Sequence, residues 1–176
     1  MIRLTRAQLV LVVSLLVLVL PSIIALAAIT SSLDPSQAPS GTHLQTGAIG
    51  CTVNPDQSVT CSTFELAGVG HTDVDVALTA SYTAIVDCNN PGANRNNPIE
   101  SHTTSFSAST QITVTSGKNG RLSVPAQSVN PTAVAQGCPN PNWTPVIRAG
   151  TLTLESFSYT LTFEDFASPY ISVTGP

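Results

Sequence analysis

The sequence predicts an all-β fold, an antiparallel β-sandwich of immunoglobulin-like architecture with about seven to eight strands and disulfide stabilisation. Three observations predict it. Apolar residues recur at every second position through most of the chain, no window beyond the N-terminal segment holds a helical period, and all four cysteines follow that segment. Alternation at period two marks half-buried antiparallel strands. Several such runs separated by turn residues describe a sandwich.

The chain begins with Arg3 and Arg6, followed by the apolar run "LVLVVSLLVLVL" from Leu9 to Leu20, a break at Pro21-Ser22, and then "IIALAAIT". A basic start, an apolar stretch and Ala25-Leu26-Ala27 as a small-residue cleavage site read as a signal peptide over residues 1–27. The alternative is an uncleaved N-terminal anchor, since Leu9 to Ile29 is just long enough to span a bilayer at about 20 residues. Both readings export everything that follows, as a secreted or extracellular protein or as a membrane-anchored one with its domain outside. Any membrane contact would run through the N-terminal segment alone.

Residues 28–48 are polar, carry Pro and Gly and lack periodicity, which predicts a flexible linker. Residues 49–176 then form the β-sandwich domain. "DVDVALTASYTAIVDC" places Val74, Val76, Leu78, Ala80, Tyr82, Ala84, Val86 and Cys88 on one face of a long strand. "TTSFSASTQITVT" repeats the pattern, with Phe106, Ala108, Ile112 and Val114 inward. In "TLTLESFSYTLTF" the phase changes between Leu154 and Phe157, so one extra residue near Glu155-Ser156 predicts a β-bulge. Shorter strands are expected at Ile49–Val53, Ser58–Leu66, Arg121–Val124 and Trp143–Arg148. "GKNG" at Gly117–Gly120 reads as a hairpin turn.

Without Arg3 and Arg6, four basic residues face ten acidic ones, a net charge of 4 − 10 = −6. A sparse negative surface with no basic cluster argues against nucleic-acid binding. Four cysteines in an exported chain imply two disulfides. Cys51 and Cys61 flank a strand–turn–strand centred near Asp56 and face each other if the hairpin is symmetric, which leaves Cys88 for Cys138. Cys61–Cys88 with Cys51–Cys138 is the rival pairing.

The order Cys61, "LAGVG", Cys88-Asn-x-Pro-Gly-x-Asn, "GKNG", Cys138-Pro-Asn-Pro-Asn-Trp143 resembles a group of small secreted bacterial proteins of unknown function. The resemblance covers most of the exported part. It departs at Gly92-Ala93-Asn94, where that group carries Gly-Gly-Asn. It implies an exported all-β domain and no reaction.

Motifs for catalysis are absent. His43, His71 and His102 stand apart from any G-x-S-x-G, H-E-x-x-H or S-x-x-K signature, so no catalytic residue, metal or cofactor is expected. Asp73 and Asp75, with Asp87 beyond, lack the loop that would complete a calcium site and read as a solvated strand face. The candidate ligand-binding residues are Trp143, Asn89, Asn90, Asn94 and Asn140. An aromatic face beside amide groups suits a sugar, although Asn and Pro also serve irregular turns. Asn142-Trp143-Thr144 fits a glycosylation sequon. The functional expectation is a non-catalytic cell-surface or extracellular binding or structural module whose partner is a polysaccharide or another surface protein. The alternatives are a carbohydrate-binding module, which predicts an exposed Trp143, and a fibre subunit, which predicts an unprotected edge strand.

Overall fold

A computed structural model describes residues 28–90, 92, 98–131 and 137–176. The signal-peptide or anchor reading of residues 1–27 and the candidate Asn94 lie outside the described residues.

Twelve strand segments and one short 3-10 turn (Pro35–Gln37) make up the described fold. Two long strands organise it. β6 (Asp73–Asn89) alternates throughout, and every even residue from Val74 to Cys88 is buried. β7 (Glu100–Thr115) pairs with β6 over sixteen consecutive antiparallel positions without a register shift. The other edge of β6 pairs with β11 (Thr153–Phe163) and then, further along, with β10 (Thr144–Ile147). β12 (Ile171–Gly175) pairs with β11, and β1 (Thr30–Leu33) pairs with β12, completing a six-stranded antiparallel sheet.

Two three-stranded sheets complete the topology. One orders β2 (His43–Gly47), β5 (Phe64–Ala67) and β8 (Arg121–Val124); the other orders β3 (Cys51–Val53), β4 (Val59–Cys61) and β9 (Gln127–Val129). Each strand of one is joined along the chain to a strand of the other, β2 to β3, β4 to β5 and β8 to β9. β4 passes to β5 through Ser62-Thr63, and β8 passes to β9 through Pro125-Ala126. Pro125 has no N–H to donate, which ends the ladder there. Across from it, in the link before β5, the Thr63 hydroxyl donates to the Val124 carbonyl at 2.8 Å.

One core cluster draws Val76, Leu78, Tyr82, Tyr159, Leu161, Phe163 and Ile171 from the large sheet and Val59, Phe64, Leu66, Leu122 and Val124 from the smaller ones. Phe163 packs against both Phe166 and Tyr170, with ring centroids 6.2 and 5.7 Å apart. The turn after β5 depends on Gly68, whose φ of 75° lies in the left-handed region and whose Cβ would strike the Gly41 carbonyl.

The β-bulge stands where the phase change places it: Leu154 pairs with Tyr82 and Ser156 with Ser81, leaving Glu155 as the extra residue. Disulfides join Cys51 with Cys61 and Cys88 with Cys138. Cys51 faces Cys61 directly in the β3–β4 ladder, the pairing expected from the hairpin's symmetry.

Three expectations need correction. Residues 28–48 are not a linker throughout, because β1 and β2 are laddered to β12 and β5. Both are exposed along their length. Backbone pairing holds them, and that leaves no apolar period to read. The strand count exceeds eight, since interruptions at Ser62-Thr63, Pro125-Ala126 and Arg148–Leu152 divide extended runs into separate ladder segments. Finally, Gly117–Gly120 is a turn, with Gly120 at φ 65° and its N–H donating to the Gly117 carbonyl at 3.0 Å. It does not close a hairpin, because β7 pairs with β6 and β8 with β5.

Candidate functional site

Asn89 and Asn90 meet the stretch from Cys138 to Trp143 at the far end of β6. Its inward row terminates at the fully buried Cys88, which bridges to Cys138 with Cα atoms 5.8 Å apart. Directly opposite, β10 pairs Thr144 with Asn89 and Pro145 with Cys88. The covalent bridge and the ladder together bring Asn89 and Asn90 to the same corner as Asn140 and Trp143. Trp143 is half-buried rather than freely exposed.

Much of the polar capacity at this corner serves the backbone. The Asn140 side-chain oxygen accepts from the Asn142 N–H at 2.9 Å, and its carbonyl accepts from the Trp143 N–H at 3.0 Å. The Asn90 side-chain oxygen likewise accepts from the Gly92 N–H at 3.2 Å. Both are Asx-type turns, in which the amide folds its own loop. Asn89 differs: its Oδ1 is buried and has no hydrogen-bond partner among the described residues. Nδ1 of His102 is in the same state, on the β7 position paired with Val86.

Just outside the corner lies a polar cluster that the sequence reading missed. Arg148 donates through Nη2 to Asp87 Oδ1 at 2.7 Å and through Nε to Oδ2 at 3.2 Å. Ser101 donates to the same Oδ1 at 2.7 Å, and Arg148 Nη2 also donates to the Ser101 hydroxyl at 2.9 Å. The Arg148 and Ser101 hydrogen bonds hold the Asp87 carboxyl below its ordinary 3.8, and Asp87 in turn raises the Arg148 guanidinium. The cluster staples the start of the Arg148–Leu152 interruption to β6 and β7. The Arg148 N–H donates to the Ile85 carbonyl at 2.8 Å, and the Ile85 N–H donates to Thr151 Oγ1 at 3.1 Å. A bidentate Arg–carboxylate pair fixes geometry more than it stabilises when exposed. Its signal was present in the outward position of Asp87, but nothing in the chain tied that position to Arg148, 61 residues away.

The remaining sequence candidates are scattered. His43 opens β2 and not a linker, its Nδ1 lying 2.8 Å from the Gly41 carbonyl; His71 is exposed in the turn before β6. Asp73 and Asp75 share a hollow of about 220 Å³ with Glu164 and Thr113, and Thr113 donates to Asp75 at 2.7 Å. Among the described residues no group of three or more His, Cys, Asp or Glu side chains is placed to hold a metal ion. A cavity of about 710 Å³ lies elsewhere, between Ala28, Ile29, the β3 strand and Leu154. None of the described candidates Trp143, Asn89, Asn90 and Asn140 lines it.

Among the described residues no helix is long and apolar enough to cross a membrane. No family model, curated protein or solved structure matches this chain.

Proposed function

We propose that the protein is an exported, disulfide-stabilised module that works outside the cytoplasm by binding or by building structure, on a sandwich of immunoglobulin-like architecture. The observation that carries this reading is the pairing of all four cysteines in two disulfides with no free thiol. Such bonds persist in oxidising compartments and are rare in the cytosol. The basic and apolar N-terminus supplies the export signal. The sparse acidic surface suits a protein or glycan partner better than a nucleic acid.

The test expresses the full chain from residue 1 in an exporting host. Thiol alkylation before and after reduction is combined with fractionation. Export predicts that the domain is outside the cytoplasm with all four cysteines inaccessible until reduced. A cytoplasmic protein with four reactive thiols would overturn the proposal.

A second reading, glycan binding at the pinned corner, is favoured by one specific observation. The Cys88–Cys138 bridge and the Asn89–Thr144 pairing bring Trp143 to the same corner as Asn89, whose buried Oδ1 has no hydrogen-bond partner among the described residues. Trp143 falls short of the free exposure that a sugar site predicts, so the reading rests on the part of its ring left exposed at a corner that also carries amide groups. Retention on insoluble polysaccharide that Trp143→Ala abolishes, with circular dichroism unchanged, supports it. Equal retention of both proteins, or none, sinks it for the glycans tested.

A further inference from the structure

The six-stranded sheet ends on one side at β7, which among the described residues pairs only with β6. An edge strand exposes a row of N–H and C=O groups that can accept another strand, so natural sheets blunt long edges with Lys, Pro, bulges or short length. β7 has none of these. It runs sixteen residues, about 50 Å at the usual rise, and its ladder to β6 holds one register throughout. Between Ser101 and Thr115 it contains no Lys, Arg, Asp, Glu, Pro or Gly. Its odd-numbered residues, all exposed, are Ser, Thr and Gln. Its inward residues Phe106, Ala108, Ile112 and Val114 are only half-buried, although they pack on the core.

We propose that β7 is a strand-addition surface whose occupant is a second copy of this chain, pairing antiparallel β7 to β7 about a two-fold axis. Length selects that occupant. The other strands that end their sheets run for only three to five residues, so a head-to-tail match would ladder a short stretch, whereas β7 against itself offers its whole length. Charge allows it. A two-fold centred on Ala108 sets Ser107 opposite Ser109, Ser105 opposite Gln111, and Thr103 opposite Thr113. Every facing pair on the outer surface is then uncharged, and hydroxyl pairs of this kind favour cross-strand contact. The added strand also covers the half-exposed flank of Phe106 and Ile112, which gives the contact an apolar component. Because the same surface serves both partners, the assembly closes as a dimer and does not grow into a fibre.

This inference rests on the reading of the protein as a structural or binding module, and its test separates the two. The full chain, expressed from residue 1 and purified, is measured by sedimentation equilibrium over a range of concentrations. The expected mass is twice that of one chain. Ser107→Lys, which brings two lysines together near the axis, should reduce it to that of one chain at the same concentration, and Ser109→Glu should do the same. Thr79→Lys, on the exposed outer face of the central strand β6, should leave the dimer intact. Circular dichroism and melting confirm that each variant folds. A wild type of single-chain mass, a dimer indifferent to Ser107→Lys and Ser109→Glu, or a mass that grows without limit would each overturn the proposal. Thiol reactivity on the same sample reports separately on export.

Discussion

Tyr82, Tyr159 and Tyr170 are the chain's three tyrosines, and all three are buried in the core. The Tyr82 and Tyr159 hydroxyls have no hydrogen-bond partner among the described residues. Burial raises each phenol above its ordinary 10.0, that of Tyr159 to about 12, so folding favours the protonated forms. Their contribution to stability is whole below pH 10.0 and is lost as the pH rises through the raised native values, for Tyr159 about 12. Spectrophotometric titration should therefore find all three phenols ionising above the ordinary midpoint in native protein and with a midpoint of 10.0 in urea. Native ionisation of even one tyrosine at the ordinary midpoint contradicts this. Gln57 poses a second test. It is a non-glycine residue at positive φ, 67°, and its side-chain oxygen accepts from the Leu154 N–H at 2.9 Å, next to the bulge. Gln57→Ala leaves that backbone donor unpaired and should destabilise by about 1–3 kcal/mol. Gln57→Gly loses the same bond but relaxes the left-handed backbone, so urea unfolding should find it less damaging than Gln57→Ala. The inward placement of Tyr82 was legible in the alternation of β6. The bond from Gln57 to Leu154 was not, because it links residues 97 apart through a conformation that no pattern marks.

Among the elements, β11 shows what alternation can and cannot reveal. The phase change from Leu154 to Phe157 exposed a bulge because each face must keep its own polarity. Glu155 is the residue that restores it, and its carboxylate accepts from the Thr83 hydroxyl. Deleting Glu155 would join two in-phase segments into one ladder, so the fold should survive with a stability change within about 1 kcal/mol, the scale of one hydrogen bond. Deleting Ser158, whose neighbours Phe157 and Tyr159 are both buried, would turn one half of the strand inside out and should abolish cooperative melting. Equal tolerance of both deletions, read by thermal circular dichroism, would mean that register is not set by burial. The same logic explains the misread elements. β1 and β2 bury nothing, so no face constrained their sequence. β12 carries a short alternation, Ile171 and Val173 inward, in a run too brief to separate from loop. Alternation also names a face and not a neighbour, which is why β8 was read as the hairpin partner of β7 when it pairs with β5.

At the scale of the whole molecule the two disulfides do different work, and chain length decides how different. Cys51–Cys61 closes a separation of ten residues within a hairpin that its own ladder already holds. Cys88–Cys138 closes fifty residues that contain all of β7, β8 and β9, and so ties the end of β6 to the approach to β10. In the chain-entropy account the first restricts the unfolded state by about 3 kcal/mol and the second by about 4 kcal/mol. Residual hairpin structure in the unfolded chain would lower the first further. Replacing Cys88 and Cys138 with alanine should therefore lower the free energy of unfolding more than replacing Cys51 and Cys61. The corner around Trp143 should also lose order first, since nothing else covalent holds it to β6. Urea unfolding of the two double variants, with Trp143 fluorescence as the local probe and far-ultraviolet circular dichroism as the global one, checks both statements. For the Cys88/Cys138 variant the fluorescence transition should precede the circular dichroism transition. Coincident transitions would show that the β6–β10 ladder holds the corner without the bridge. A larger loss from the Cys51/Cys61 pair would instead make the β3–β4 hairpin the more important clamp on the core.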